Sequence, residues 1–453
     1  FYKTQFLMKQ KQNKYSTLLY ATSLIPETAA GKCFPGILFR QKGFLMIKTT
    51  SVLPDFPDFH EFYGYTPEKA LFFDIETTGL SHKSACVFLI GTIHLENGSW
   101  QLTQYLAEHA SEEKQLLETF LSDAAPYDTL IHFNGSTFDV PFLNAKANAY
   151  ELTGISLHGV SGKSSGRQSA WKSACQTSGA AHVPFSTHSF TAAEKNSLDL
   201  YRTLSVLRHL PGQTSLKQSA LEKLAGWQRT DTLSGKHMAA MFRSFDKTQD
   251  QELLQLMLLH NHDDLVGMTN LLPLAAYCML ADGDFIGVRS CFLRSDEKDA
   301  VPSLEVTIQL RAPLPTPLFL SHFSDDPAVS CSCVCDMIVK NSTAVLRFPG
   351  FPCELKYFFP DYKNYCYLPL EDQAIHKSVA SYIDKEYRVP AKAATCYTRK
   401  SDIFYWQPQP LLSPDFRASF DAKAHFFEYS ENFSHQPDLL HPLVQCCFQR
   451  FFS

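Results

Sequence analysis

The sequence contains no run of about 18 or more apolar residues, so no membrane span is read from it. It has no excess of positive charge: 41 Lys and Arg stand against 46 Asp and Glu, for a net charge of −5 and a pI near 6.4. Most nucleic-acid binders carry a basic face; an acidic average does not exclude nucleic acid, but any phosphate contact must be local or metal-mediated. No basic segment followed by a long apolar core opens the chain, so no secretory signal is read. The first residue is Phe1, and Met8 is a candidate start. There is no internal repeat, helix-turn-helix or zinc-finger pattern. The 13 cysteines form no CxxC pair, and several, such as Cys86 and Cys278, sit in apolar runs. Reduced thiols in a cytoplasmic chain are expected. CSCVC (Cys331, Cys333, Cys335) reads more simply as alternation along a strand than as a metal site.

What is present is a well-filled globular chain. Apolar residues make up 45% and charged residues 19%, which argues against disorder. A length of 453 residues favours two domains. Residues 1–66 read as an N-terminal extension ending in a Pro- and Phe-rich linker. From 67 to 280 an α/β rhythm takes over. ALFFDIE, ACVFLIGTIHLE and WQLTQYLA read as three strands, with a hairpin at Asn97-Gly98. SEEKQLLETFLSDA follows as a helix capped by Ser111, then strand DTLIHF and a helix opened by FDVPFLNAKANAY. Residues 153–195, rich in Ser, Gly and Ala, read as an inserted loop. Ser215 with Gln218 fits a capping box and Gly226 a helix end. A last helix is expected from about Gln251 to Leu280. Beyond 281, strands dominate, with one helix expected over 371–387. This second region reads as a β-rich α+β domain.

The chemistry lies in three short stretches. In LFFDIETTGL (71–80), Asp74 and Glu76 are two apart on a strand, so both face one way, about 6–7 Å apart. Two anions in an otherwise buried strand need compensation, and oxygen ligands favour Mg²⁺ or Mn²⁺. Alternatively they are solvated charges at a strand end. In HFNGSTFDVPFL (132–143), Asp139 follows a strand and a tight turn, where it could also serve only as an acid at a helix N-terminus. In LLHNHDDLVGM (258–268), His260 and Asp264 share a helix face, continuing an apolar side expected to include Leu253, Leu256 and Met257. A satisfied core histidine is the plainer alternative there. His262 and Asp263 would face elsewhere.

Taken together, Asp-x-Glu, the later Asp and His-x-x-x-Asp resemble the DEDD superfamily of 3′→5′ exonucleases in its histidine-bearing variety. With LPGQTSLKQSALEKLAGWQRTD (210–231), they look most like the YprB-type RNase H-like exonuclease domain, over roughly residues 60–280. The resemblance implies an RNase H-like α/β domain with a mixed sheet flanked by helices. It also implies a two-metal hydrolysis of phosphodiester bonds using Mg²⁺ or Mn²⁺. Asp74 would bridge the ions, Glu76 and Asp264 would complete one, and Asp139 would hold the other. His260 would be the general base. Thr77 and Thr78 would meet the terminal 3′ nucleotide, and Asn134 and Phe138 its base or sugar. Asp199, in SLDLY, is a candidate outer acid or a turn residue. The expected substrate is nucleic acid, DNA more than RNA, single-stranded or 3′-ended, in a repair setting with a helicase or repair partner and no membrane.

Two features bear on how substrate is held. Lys163, Arg167 and Lys172 lie in the loop. In the second region Lys356, Lys363, His376, Lys377, Lys385, Arg388, Lys392, Arg399 and Lys400 interleave with Tyr357, Tyr362, Tyr365, Tyr367 and Tyr397. That mixture suits single strands, though tyrosines also fill β-rich cores. The competing expectation is a catalytically inactive nucleic-acid-binding or partner-recruiting module; the complete acid set weighs against it.

Overall fold

The computed structural model describes residues 20–21, 37–40, 46–154, 156–158, 194–210, 212–230, 235–295, 301–323 and 333–452. The chain divides into two compact units, residues 1–203 with 227–272 and residues 204–226 with 273–453.

The first unit is built on a nine-stranded mixed sheet. In chain order the strands are β1 (Tyr20–Ala21), β2 (Ile37–Arg40), β3 (Met46–Leu53), β4 (Ala70–Thr77), β5 (Val87–Glu96), β6 (Ser99–Ala107), β7 (Thr129–His132), β8 (Ser156–His158) and β9 (Glu194–Asp199). Their spatial order is β1-β2-β3-β6-β5-β4-β7-β9-β8. Pairings from β1 to β4 are antiparallel; β7, β9 and β8 join in parallel. The hairpin between β5 and β6 turns at Asn97 and Gly98, both at positive φ. β3 pairs with β6 from Met46↔Ala107 to Leu53↔Trp100. Residues 46–53 therefore belong to the sheet, in keeping with a weak strand signal over 36–50; only Val52 and Leu53 fall in the stretch read as linker.

Period-two alternation sorts the two faces. Leu71, Phe73 and Ile75 of β4 pack with Leu116, Leu117 and Phe120 of α1 (Glu113–Ala124) and Val140, Phe142 and Leu143 of α2 (Asp139–Ala149). On the other side Phe88, Leu89 and Leu106 pack with Met238, Phe242 and Phe245 of α3 (Gly235–Thr248) and Leu254, Met257 and Leu258 of α4 (Gln251–Asn270). The stripe on α4 runs through Leu254 rather than Leu256, which is exposed. The helix ends at Asn270, short of the expected Leu280, because Pro273 has no N–H to continue the ladder. Ser111 does not cap α1. The N-cap position is Glu112, which makes no side-chain cap bond; its carboxylate instead accepts the backbone N–H groups of Glu108 and His109 in the turn before the helix.

The second unit holds a five-stranded antiparallel sheet, order β10-β11-β14-β13-β12. Its strands are β10 (Gly287–Arg294), β11 (Ser303–Gln309), β12 (Leu318–Phe323), β13 (Cys333–Lys340) and β14 (Thr343–Phe348). A closed barrel follows, built of β15 (Phe351–Phe358), β19 (Tyr397–Gln407), β21 (His425–Glu428) and β20 (Phe416–Arg417), with a three-stranded sheet of β17 (Gln373–His376), β16 (Tyr365–Leu368) and β18 (Val389–Pro390). Helices α5 (Ala275–Asp282) and α6 (His441–Phe451) pack together, with Phe285 against Phe448. Cys333 and Cys335 lie on β13, as alternation suggested; Cys331 is outside the described residues.

Two expectations fail here. The helix over 371–387 is absent: Ile375 pairs in β17 opposite Cys366, and only Lys377–Ala380 is α-helical, with a 3-10 turn at Lys385–Tyr387. Val379 and Tyr382, which a helix would have buried, are exposed. Ser215 does not form a capping box; its Oγ accepts the N–H of Lys217 just before the helix Gln218–Leu224. Gly226, at positive φ, does end that helix.

Candidate active site

β4 is central and runs into the site at its C-terminal end. Asp74 and Glu76 leave the face turned toward α4, opposite to Phe73 and Ile75. Glu76 is buried and Asp74 partly so. The four-residue spacing on α4 brings His260 and Asp264 to the same place. His260 Nε2 lies 3.6 Å from Glu76 Oε1 and 3.4 Å from Asp264 Oδ2. Ligand atoms of Glu76, His260 and Asp264 all fall within 4.8 Å of one another, the one such group of three among the described residues. Asp139 enters at the first turn of α2, after a turn in which Asn134 takes φ +59°. It is buried, and the charges of Asp139 and Asp264 are both felt at Asp74.

The carboxylates are only partly compensated by their surroundings. Burial, then the charges of Asp264 and Asp139, push the Asp74 carboxyl well above its usual range; a hydrogen bond from Asn261 and the nearby Arg229 pull it back only in part. Burial likewise pushes Asp139 up to about 7, with Asp199 and Asp264 adding to it against backbone N–H groups at Asp139 and Ile75. Crowded, buried acids whose carboxyls are pushed up in this way are the environment a divalent cation relieves. The donor set, carboxylate oxygens with one imidazole, fits Mg²⁺ or Mn²⁺.

Residues 71–276 match the family model RNase_H_2 of the RNase_H superfamily. The first unit is an RNase H-like domain, a mixed sheet flanked by helices, and the second is a β-rich region of several antiparallel sheets. No curated protein matches. Among solved structures, the family B DNA polymerase from the hyperthermophilic archaeon Pyrobaculum calidifontis is similar at 14% identity and a TM-score of 0.31, over 67% of this chain and 37% of that one. The chain thus spans little more than a third of the polymerase's length.

Three residues that support the acids are not evident from the motifs. Asn261 Nδ2 donates to Asp74 Oδ2 at 3.1 Å, and its Oδ1 accepts from the buried Gln104 Nε2 at 3.0 Å. Gln104 also donates to Leu258 O at 2.8 Å, tying β6 to α4. Gly91, opposite Asp74 in the β4–β5 register, makes room: a Cβ there would stand 2.1 Å from Asn261 Oδ1. A glycine inside a strand was the available signal, since it marks close approach.

The remaining candidates fall less directly into place. Thr77 Oγ1 donates to Gly79 O, and Thr78 Oγ1 accepts the N–H of Cys86, so both hydroxyls close the loop after β4. Asn134 is exposed; Phe138 is half-buried against Phe142. Asp199 is buried and structural in part, its Oδ1 accepting the N–H groups of Asn134 and Tyr201. Its Oδ2 has no hydrogen bond, with Arg202 Nε at 3.7 Å and His132 Nδ1 at 3.9 Å. Burial lowers His132 to about 4, and its Nδ1 accepts the N–H of Gly135. His109 pairs with Asp246 at 2.8 Å. Asp263 Oδ2 accepts the N–H of Thr230. Lys163, Arg167 and Lys172 lie outside the described residues.

In the second unit much of the basic and aromatic set is already engaged. Lys356 Nζ sits 4.0 Å above the Tyr397 ring. Tyr367 and Tyr397 both donate to Asp372 Oδ1 at 2.5 Å. Arg399 faces Glu354 and Asp372, and Lys400 pairs with Glu428 and Asp402. Tyr365 stacks on Phe359.

Proposed function

We propose that the protein is a divalent-metal-dependent 3′→5′ exonuclease acting on nucleic acid, DNA in preference to RNA. The observation that carries the proposal is the convergence of Asp74, Glu76, Asp139, His260 and Asp264, with the buried carboxyls of Asp74 and Asp139 only partly compensated. The RNase_H_2 match supports the same class of chemistry. Asp74, Glu76, Asp139 and Asp264 would hold two ions, which supply an activated water and neutralise charge at the phosphate. His260, facing Glu76 and Asp264 through Nε2, would take the proton from that water. Asn261 fixes the Asp74 carboxylate in one orientation, so that the strand end is set before substrate arrives. Thr77, Thr78, Asn134 and Phe138 would border the terminal nucleotide, the threonines through backbone as much as hydroxyl. A single-stranded or 3′-ended DNA substrate, a repair setting and a helicase or repair partner remain part of the proposal.

One observation favours a second reading, a binding module without catalysis. Arg229 Nη1 lies 2.5 Å from Asp264 Oδ1, a cation already at a candidate ligand oxygen. Incubation with 5′-labelled single-stranded DNA and RNA, with Mg²⁺, Mn²⁺ or EDTA, separates the two. A metal-dependent ladder shortening from the 3′ end, absent in Asp74→Ala, is expected. Intact folding with no cleavage under any condition would favour the binding module.

A further inference from the structure

Arg229 is placed with care for a residue on an irregular segment. Its side chain and that of Asp264 are each less than one-fifth exposed. The next residue is pinned, Thr230 N–H donating to the buried Asp263 at 2.7 Å. The chain at 229–230 therefore lies against α4, beside both acids at 263 and 264. The same guanidinium is one of the influences that hold the Asp74 carboxyl down. One cation thus partly serves two of the acids proposed to bind metal.

A guanidinium and a divalent ion cannot share Asp264 without mutual repulsion. Arginine stays charged at any working pH, and its planar fork matches phosphate as well as carboxylate. Resting on the nuclease reading above, we propose that Arg229 is the exchangeable cation of this site. In the metal-free protein it pairs with Asp264. When a divalent ion takes that carboxylate, the guanidinium moves to a non-bridging phosphate oxygen of the nucleic-acid substrate. The exchange costs the metal some affinity and gives the substrate a partner that becomes available only in a loaded site. Removing the charge must therefore push metal and substrate affinity in opposite directions. A residue that merely held the 227–230 segment would push both the same way.

The test uses the full chain stripped with EDTA. Mn²⁺ is titrated calorimetrically into the wild type, Arg229→Gln and Arg229→Lys. Binding of a fluorescent single-stranded DNA oligonucleotide is then measured with Ca²⁺ in place of the reactive ion. For Arg229→Gln, Mn²⁺ should bind about tenfold more tightly and the oligonucleotide about tenfold more weakly, the scale of one partly shielded ion pair. Arg229→Lys keeps the charge but loses the fork. It should match the wild type for Mn²⁺ and fall between the two for the oligonucleotide, and it serves if the Gln variant fails to fold. Unchanged or weaker Mn²⁺ binding in a folded Arg229→Gln overturns the exchange alone. A wild type that binds no Mn²⁺ overturns the metal site and the exchange with it.

Discussion

In the first unit, Asp74, Asp139 and Asp264 crowd the end of β4 and α4, and burial with mutual repulsion raises Asp74 and Asp139. In the second, Glu305 is just as buried, yet its Oε1 accepts from Arg294 at 3.2 Å and twice from Arg347, at 2.9 and 2.6 Å. His425 is matched to Asp415 and Lys400 to Glu428 in the same way. Both units bury or half-bury charge, but the crowded acids of the first are offset only in part. A well-matched buried charge contributes to the fold; a crowded set of acids that its neighbours offset only in part costs stability, which is the pattern of a binding site.

The sharpest way to break that contrast is to neutralise one acid in each unit. Asp74→Asn should cut metal-dependent cleavage by about a thousandfold, while raising the melting temperature in EDTA because repulsion is relieved. Glu305→Gln should do the reverse. It leaves two arginines short of a partner, lowers stability by about 2 kcal/mol, and leaves cleavage per folded molecule unchanged. Thermal melts beside the oligonucleotide assay decide it; a destabilised Asp74→Asn would mean that this acid is structural after all.

A smaller effect should come from Gly91→Ala. The added Cβ would meet Asn261 Oδ1 at 2.1 Å and Leu265 Cδ1 at 2.4 Å. Overpacking of this kind costs about 1–3 kcal/mol. Displacing Asn261 should also lower cleavage, by about ten- to a hundredfold. Asn261→Ala removes the Asp74 contact without the clash, so it should reproduce the loss of cleavage with less loss of stability. Equal cleavage in Asn261→Ala and wild type would leave Asp74 positioned by other groups.

These two sites also mark how far local pattern reaches. Asp74 with Glu76, and His260 with Asp264, were legible because strand and helix periods set their faces. Asp139 was legible from a strand, an Asn-Gly turn and a helix start. The Gly91–Asn261–Gln104 arrangement was not, since it joins β5, α4 and β6 across more than 150 residues of sequence and only the glycine hints at it. Nothing in the sequence singles out Arg229. The assignment of β3 to the sheet depended on a partner, β6, about 50 residues away. The 371–387 segment misled because Ile375, Val379 and Tyr382 have helical spacing, while the pairing of Ile375 with Cys366 won.

The pH dependence of the metal-free protein sharpens the contrast further. An aspartate in an unfolded chain titrates near 3.9, and Asp139 when folded near 7. Between those values the folded state holds a proton that the unfolded state has lost, so stability falls as pH rises. His132 works oppositely. It titrates near 4 when folded and about 6.5 when unfolded, so its contribution grows as pH rises through that window. The two offset each other up to about pH 6.5, and Asp74 adds to the fall. In EDTA, the melting temperature should therefore drop between about pH 6.5 and 8, and Asp139→Asn should flatten that drop. Mn²⁺ should restore the loss at pH 8. A flat wild-type profile would remove the charge deficit from the argument.

The smallest effect is expected in the second unit, at Lys400. Its ammonium pairs with Glu428 and with Asp402 at 3.2 Å, at the edge of a cleft also lined by Tyr357, Arg399 and Phe416. Lys400, Arg399 and Tyr357 look suited to a phosphate and a base, which is why the sequence singled them out. The pairing argues otherwise: a cation with two acidic partners must give one up before it can meet a phosphate. An exposed pair of this kind contributes about 0–1 kcal/mol. Lys400→Ala should shift stability within that range and change the affinity for single-stranded DNA by less than about twofold. Fluorescence anisotropy across a salt series checks both the affinity and its slope. If affinity instead drops tenfold and the salt slope shrinks by about one, Lys400 has been reaching a phosphate. The second unit would then hold substrate with charges that only look satisfied at rest, as Arg229 is proposed to do in the first.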